Sequence, residues 1–391
     1  MTYAQSAAGT LGSVSPELRF IIDFCNPARR HAPAPDLDWN IVVRGLDRHG
    51  LTRVIREMIA MPGVVPPGEV AALRELQHGK SELALIQLME VVRICDLLDQ
   101  AGVRFLLVKG IALSIQLYGQ PGVRNGRDLD LLVEPGALAR VDSVLESLGY
   151  RRPAEDRAKD QLAGRIPKEI GYIDASRGML VEVHTRLTDN SDLYAPDFEA
   201  LWETRETLTI GGRSFPTLGR KQLPIYLCAH GAKHGWSRLM WLLDIAALTG
   251  SPAEIDAALE DARRFQLENV VLHALAMLHD WFGHDVPPQI LARAQTSRSV
   301  RILNRVTALH HIGRHWYEPP SRHSWRRFFL HSVLGRVISY TIKPKASYWR
   351  QQLSLDLVSS ADRTIVALPP RFDWAYAVLR PFGWLIRRLR K

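Results

Sequence analysis

An α+β architecture is predicted: a small mixed β-sheet core with helices on one face, an N-terminal helical segment and a C-terminal helical domain. Three observations predict it. Short apolar runs with period-two alternation gather between residues 103 and 217, as half-buried strands require. Stretches with apolar residues recurring every three or four positions stand on both sides, at 38–101 and 221–313, which is helical spacing. Gly and Pro punctuate the joins, most clearly Gly211-Gly212 between two strand-like runs, a hairpin signal.

Taken in order, residues 1–37 read as a flexible segment with one short helix at 16–24, followed by a linker bearing Pro33 and Pro35. Over 38–60, Ile41, Val42, Leu46, Leu51, Val54, Ile55 and Ile59 keep helical spacing. The Pro- and Gly-rich stretch 61–68 breaks it, and a long helix follows at about 69–101; packing is the plain role of these helices. The core, residues 102–220, reads as strand 103–108, helix 111–118, strand 128–133, helix 136–148, strands 169–174 and 179–184, then the hairpin 208–210 with 214–217. Pro135 suits the start of its helix and Gly149 the stop. Residues 221–317 form a helical domain with helices at 222–249, 254–282 and 288–311, the last broken near Thr296.

The remainder, 318–391, is a basic Trp-bearing tail. Residues 321–391 hold 14 Lys and Arg against 3 Asp and Glu, so the formal +9 of the chain leaves about −2 on the other 320 residues. A near-neutral core argues against a polynucleotide partner, which calls for a basic groove. Trp384, Leu385, Ile386 and Leu389 alternate with Arg387, Arg388, Arg390 and Lys391. This end fits a peripheral membrane contact at an inner membrane surface, an acidic partner, or a terminus without fixed structure. The three cysteines are widely spaced with no CxxC, so a reducing cytoplasm is expected. No signal peptide and no run of roughly 20 apolar residues are seen.

The chemistry is concentrated in Arg-Asp-Leu-Asp-Leu-Leu-Val, residues 127–133. On a strand, Asp128 and Asp130 share one face while Leu129 and Leu131 turn into the core. Two carboxylates side by side repel unless a positive charge sits between them, and hard Mg²⁺ or Mn²⁺ prefers such oxygen ligands. In the strand Leu180-Val181-Glu182-Val183-His184, Glu182 and His184 share a face, and this strand is expected beside the first. The rival reading is a solvated face on an edge strand.

The ordered set Lys109-Gly110, Tyr118-Gly119, Arg124, Asp128 to Val133, Glu182-Val183-His184 and the His-rich stretch from His230 to Trp241 resembles the polymerase-β-like nucleotidyltransferase superfamily. Within it, the closer resemblance is to the bacterial uncharacterised nucleotidyltransferases, over roughly residues 35 to 315. The resemblance implies a two-metal site, with Asp128 and Asp130 touching both ions and Glu182 the catalytic one. It also implies that a carboxylate, Glu182 or Asp130, takes the acceptor's proton. Many superfamily members carry Gly-Ser after the first strand, with the Ser touching phosphate; here Lys109 precedes the Gly and Ile111 follows it.

Lys109 and Gly110 stand at a strand end where a helix begins, and backbone N–H groups with a nearby ammonium favour phosphate. Arg124 and Arg127 can pair with phosphate or with the acids. His184 can orient a metal-bound water, touch substrate, or be a satisfied core histidine. His230, Lys233 and His234 lie one turn apart on a helix; the spacing lacks the Glu of a zinc protease motif. By resemblance this helix closes the cleft, Lys233 and His234 meet nucleotide phosphates, and Trp236 or Trp241 stacks a base. The plain alternative is a helix packed on the core.

The expected activity is therefore transfer of a nucleoside monophosphate from an NTP, with ATP the first candidate, to a hydroxyl of a small-molecule, sugar or peptide acceptor. Two alternatives stay open: kinase-like phosphoryl transfer by the same carboxylates, and a non-catalytic partner-binding module of a biosynthetic cluster.

Overall fold

The computed structural model describes residues 14–30, 36–124, 126, 128–153, 166–311, 316–318, 325–357 and 375–376, without the side chains of 310 and 325–328. Arg127 and the segment Trp384–Lys391 fall outside these.

Helix α1 (Pro16–Cys25) is capped by the Ser15 hydroxyl, and α2 (Trp39–His49) by the Asp38 carboxylate, each satisfying first-turn N–H groups. The helical spacing over 38–60 resolves into α2 and α3 (Thr52–Ala60), because Gly50 adopts φ 68 and ends the first helix. The long helix expected at 69–101 is α4 (Val70–Gln100).

The core follows as β1 (Phe105–Leu107), α5 (Gly110–Tyr118), β2 (Asp128–Val133), α6 (Leu138–Ser147), β3 (Glu169–Asp174), β4 (Met179–His184), α7 (Phe198–Glu203), β5 (Glu206–Ile210) and β6 (Arg213–Thr217). Among these described elements, α7 lacks a counterpart in the sequence reading. The strands form one mixed sheet in the order β3-β4-β2-β1-β6-β5. β2 runs antiparallel to β1 and parallel to β4, with Asp130 opposite Glu182 and Leu132 opposite His184. The alternate residues Leu129, Leu131, Val181 and Val183 pack with Val91, Ile94 and Leu98 of α4 and with Val141 and Leu145 of α6. Burial of that set fixes the register, since a one-residue slip would turn every acid inward.

The opposite face meets the C-terminal helices: α8 (Leu223–Lys233), α9 (Leu239–Leu248), α10 (Pro252–Arg264), α11 (Glu268–Phe282), α12 (Pro288–Thr296) and α13 (Arg298–His311). Leu106, Val108 and Leu132 join their core. Two expected helices are each broken in two. The one at 222–249 stops at α8 because Gly235 and Trp236 take φ 58 and 50, and the one at 254–282 breaks where Gln266 takes φ 57. The break near Thr296 is present as expected. Beyond it, α14 (Trp325–Thr341) and α15 (Ala346–Leu357) bring Leu334, Ile338, Ile342 and Tyr348 into the same core. Lys343 ties this part down by donating to the carbonyls of Asp192, Leu193 and Phe265. Among the described residues no helix is long and apolar enough to cross a membrane.

Trp236 is fully buried, and a Cβ on Gly231 would lie 2.2 Å from its ring. Gly231→Ala is therefore expected to destabilise the fold by ~1–3 kcal/mol, as overpacking does, read as a lower midpoint in urea unfolding.

Candidate active site

The site begins where β1 ends. Lys109 precedes α5, and Gly110 opens the helix with φ 61; a Cβ there would come within 2.8 Å of the Asp128 carbonyl. Glycine therefore lets the helix start lie directly on β2. The parallel pairing of β2 with β4 then sets Asp130 beside Glu182, and the expectation that these strands are neighbours holds.

Donor atoms of Asp130, Glu182 and His184 lie within 4.8 Å of one another, a geometry able to hold a metal ion. His184 is fully buried, with Nε2 2.9 Å from Asp130 Oδ1 and 3.8 Å from Glu182 Oε2. Its Nδ1 makes no hydrogen bond and lies 3.8 Å from Glu169 Oε2. Asp128 lines the same cavity outside that close group. The cavity holds about 360 Å³, the size of a small-molecule site. The group able to hold a metal thus contains two of the three expected acids together with His184, for which ligation was not among the expected roles.

The other predicted residues also reach this cavity. Lys109, Gly110, Arg124, Lys233 and His234 all line it. Lys109 Nζ is 3.4 Å from Asp130 Oδ1 and stands over the Tyr226 ring. Lys233 pairs closely with Asp189. Arg124 is committed: Nε donates to Asp244 Oδ2 at 2.7 Å and Nη1 to the Gly110 carbonyl at 3.3 Å, with Tyr118 also donating to Asp244. Trp236 cannot stack a base, being sealed in the core against Gly231. Trp241 does line the cavity, edge-on to His230. Sequence reasoning missed Lys168, Glu169 and Asp189 on the cavity wall. Glu169 is opposite His184 across β3–β4, a proximity that only the strand pairing reveals.

The family model described as Uncharacterised nucleotidyltransferase matches residues 35–283, more than half of the chain. The chain belongs to this family. No curated protein matches it significantly. The match runs through the acidic strands and the helices that face them, so this nucleotidyltransferase carries its family's sequence over the whole cavity described above. Such enzymes use divalent metals, and the acidic group supplies fitting ligands.

Charge is distributed unevenly among those ligands. Burial alone would raise the Asp130 carboxyl, but Lys109, His184 and Arg124 outweigh it and hold it well below the usual range. Burial also works against the Lys109 ammonium, yet Asp130 and Tyr226 keep it protonated above its usual range. Glu182 has a looser contact, with His184 Nε2 3.8 Å from its Oε2. Burial, then Asp130, Asp128 and Glu169, push it up to about 7, with Lys109 opposing. A cation bound here would relieve that crowding of carboxylates and favour loss of the Glu182 proton.

Two predictions follow from this geometry. Arg124 and Asp244 are 4% and 1% exposed, so Asp244→Ala strands a buried guanidinium and should cost about 3–5 kcal/mol in denaturant unfolding. Glu182 keeps its proton to about 7 when folded, whereas an unfolded glutamate loses it near ~4.3. The folded state binds more protons across that window, so metal-free stability falls as pH rises through it. In chelator-treated protein, Glu182→Gln should raise Tm over the parent at about pH 8 and leave it nearly unchanged at about pH 5.

Proposed function

We propose that the enzyme transfers a nucleoside monophosphate from an NTP to a hydroxyl-bearing acceptor, a small molecule, sugar or peptide. The observation that carries this reading is the convergence of Asp130, Glu182 and His184 on one face of adjacent strands, the two acids lining a cavity rimmed by Lys and His and the imidazole buried behind them. Asp128, Asp130 and Glu182, with His184, would hold Mg²⁺ or Mn²⁺. When bound, the ion supplies charge neutralisation and polarisation of the phosphoryl oxygens.

The chain's own groups do the rest. Lys109 and the opening of α5 at Gly110 face the triphosphate, and Lys233 and His234 approach it from α8. Lys168 and Lys233 are held by Glu169 and Asp189, partners a phosphate can replace. Arg124, pinned by Asp244, acts as a positioning residue for the loop before β2. Glu182 is the more exposed carboxylate, 24% against 3% for Asp130, and is the one an entering hydroxyl meets. It takes the hydroxyl proton as the acceptor oxygen bonds to the α-phosphorus and the bond to the β-phosphate oxygen breaks, releasing pyrophosphate. The near-neutral first 320 residues support an acceptor other than a polynucleotide.

The test uses ATP labelled in the α- or γ-phosphate, Mg²⁺ or Mn²⁺, and extract fractions as acceptors. Appearance of α-label in an acceptor, reduced about 10²–10⁴-fold by Glu182→Gln and lost in Asp130→Ala, is expected. Transfer of γ-label alone would replace this reading with phosphoryl transfer.

A further inference from the structure

A second cavity of about 350 Å³ lies behind the first, between the N-terminal helices, the end of α5, and α9. Arg124 and Met240 line both cavities. Resting on the nucleotidyltransferase reading, we propose that this second cavity is the acceptor subsite, and that it takes a neutral hydroxyl compound with an apolar body.

The connection is short. Arg124 Nη1 reaches the Gly110 carbonyl, and Gly110 lies directly on β2 beside Asp128 and Asp130. Arg124 therefore stands in the wall between the second cavity and the acidic floor. Arg124 is fixed by its buried pair with Asp244. Met240 is the adjustable part of the wall, because its side chain is unbranched and turns about three bonds. It stands against Gly50, where a Cβ would come within 2.9 Å of its sulfur.

The lining states the ligand chemistry. Leu51, Val54, Val123, Leu243 and Phe282 give an apolar surface. The charges there balance without a ligand: Glu57 accepts from Arg30 at 2.5 Å and from Arg53 at 2.7 Å, Asp285 adds a second carboxylate, and Arg124 is neutralised by Asp244. Burial pushes the Cys25 thiol up to about 12, so it adds no charge. An anionic acceptor would have to compete with Glu57 for Arg30 and Arg53, and a polyhydroxylated sugar would leave hydroxyls facing the apolar side chains, which is costly. The lysines lie in the first cavity, where the triphosphate belongs.

A fluorinated benzyl alcohol, followed by fluorine NMR on the full chain, tests this. Saturable binding is expected that survives saturation with Mg²⁺ and ATP and shows enhanced relaxation when Mn²⁺ replaces Mg²⁺. Ala247→Trp fills the cavity from α9 and should weaken the alcohol at least about tenfold, ~1.4 kcal/mol, while Mn²⁺–ATP binding by calorimetry is kept. Displacement of the alcohol by ATP would overturn the proposal and give the cavity to the nucleotide's base; this competition needs no variant. Absence of binding, or binding indifferent to Ala247→Trp, would overturn it too. Absence of Mn²⁺–ATP binding by the parent chain would instead remove the transferase reading, and the acceptor role with it, even where the alcohol binds.

Discussion

Two carboxylates set side by side on adjacent strands are the constraint around which this molecule is built. The parallel register of β2 and β4 leaves Asp130 and Glu182 no separation. At an effective dielectric constant of about 20, unit charges within 4.8 Å repel by roughly 3 kcal/mol or more. Something must balance them. Lys109, His184 and Arg124 all act on Asp130, and its charge is secured. Glu182 receives little of this help and retains its proton to about 7. The protein has stabilised one acid and left its neighbour unsatisfied, which suits a site that binds a cation and then releases it.

The second support is the Arg124–Asp244 pair. It joins the loop before β2 to α9, across 120 residues of sequence. Tyr118 at the end of α5 donates to the same carboxylate. Three elements that shape the cavity are thereby held by one buried ion pair. A pair of this kind contributes little net stability compared with apolar packing, but its geometry is demanding. It fixes the position of the helical layer over the acidic floor, so the cleft does not depend on packing alone.

Much of this was legible in the sequence. Apolar alternation located β2, β3 and β4, because Leu129, Leu131, Ile170, Tyr172, Val181 and Val183 pack into one core on the same face of the sheet. The pairing of the Asp-x-Asp strand with the Glu-x-His strand followed from the need to neutralise like charges. The breaks in the C-terminal helices were not legible. Trp236 and Gln266 take positive φ without being glycine, and the Trp236 ring is held in the core near His273, with its carbonyl bonded to His311, contacts distant in the chain. The partner of Arg124 was hidden for the same reason: no local pattern connects it to Asp244. Glu169 became visible only once β3 was seen to pair with β4. The basic stretch after Glu318 reads as a tail by composition, yet Ile338, Ile342 and Tyr348 bury their side chains and draw its first half into the core.

The two cavities differ in chemistry more than in size. The first gathers acids on its floor and lysines and histidines along its walls; the second is lined by aliphatic side chains whose charged neighbours cancel one another. A metal–triphosphate carries alternating charge and suits the first. It is less well served in the second, where Arg30 and Arg53 are already bound to Glu57 and Arg124 to Asp244. The two cavities share a wall at Arg124 and Met240. Met240 is the element of that wall able to yield, and Arg124 the element that cannot. The same ion pair that holds the cleft together would then also set the direction from which an acceptor oxygen can approach.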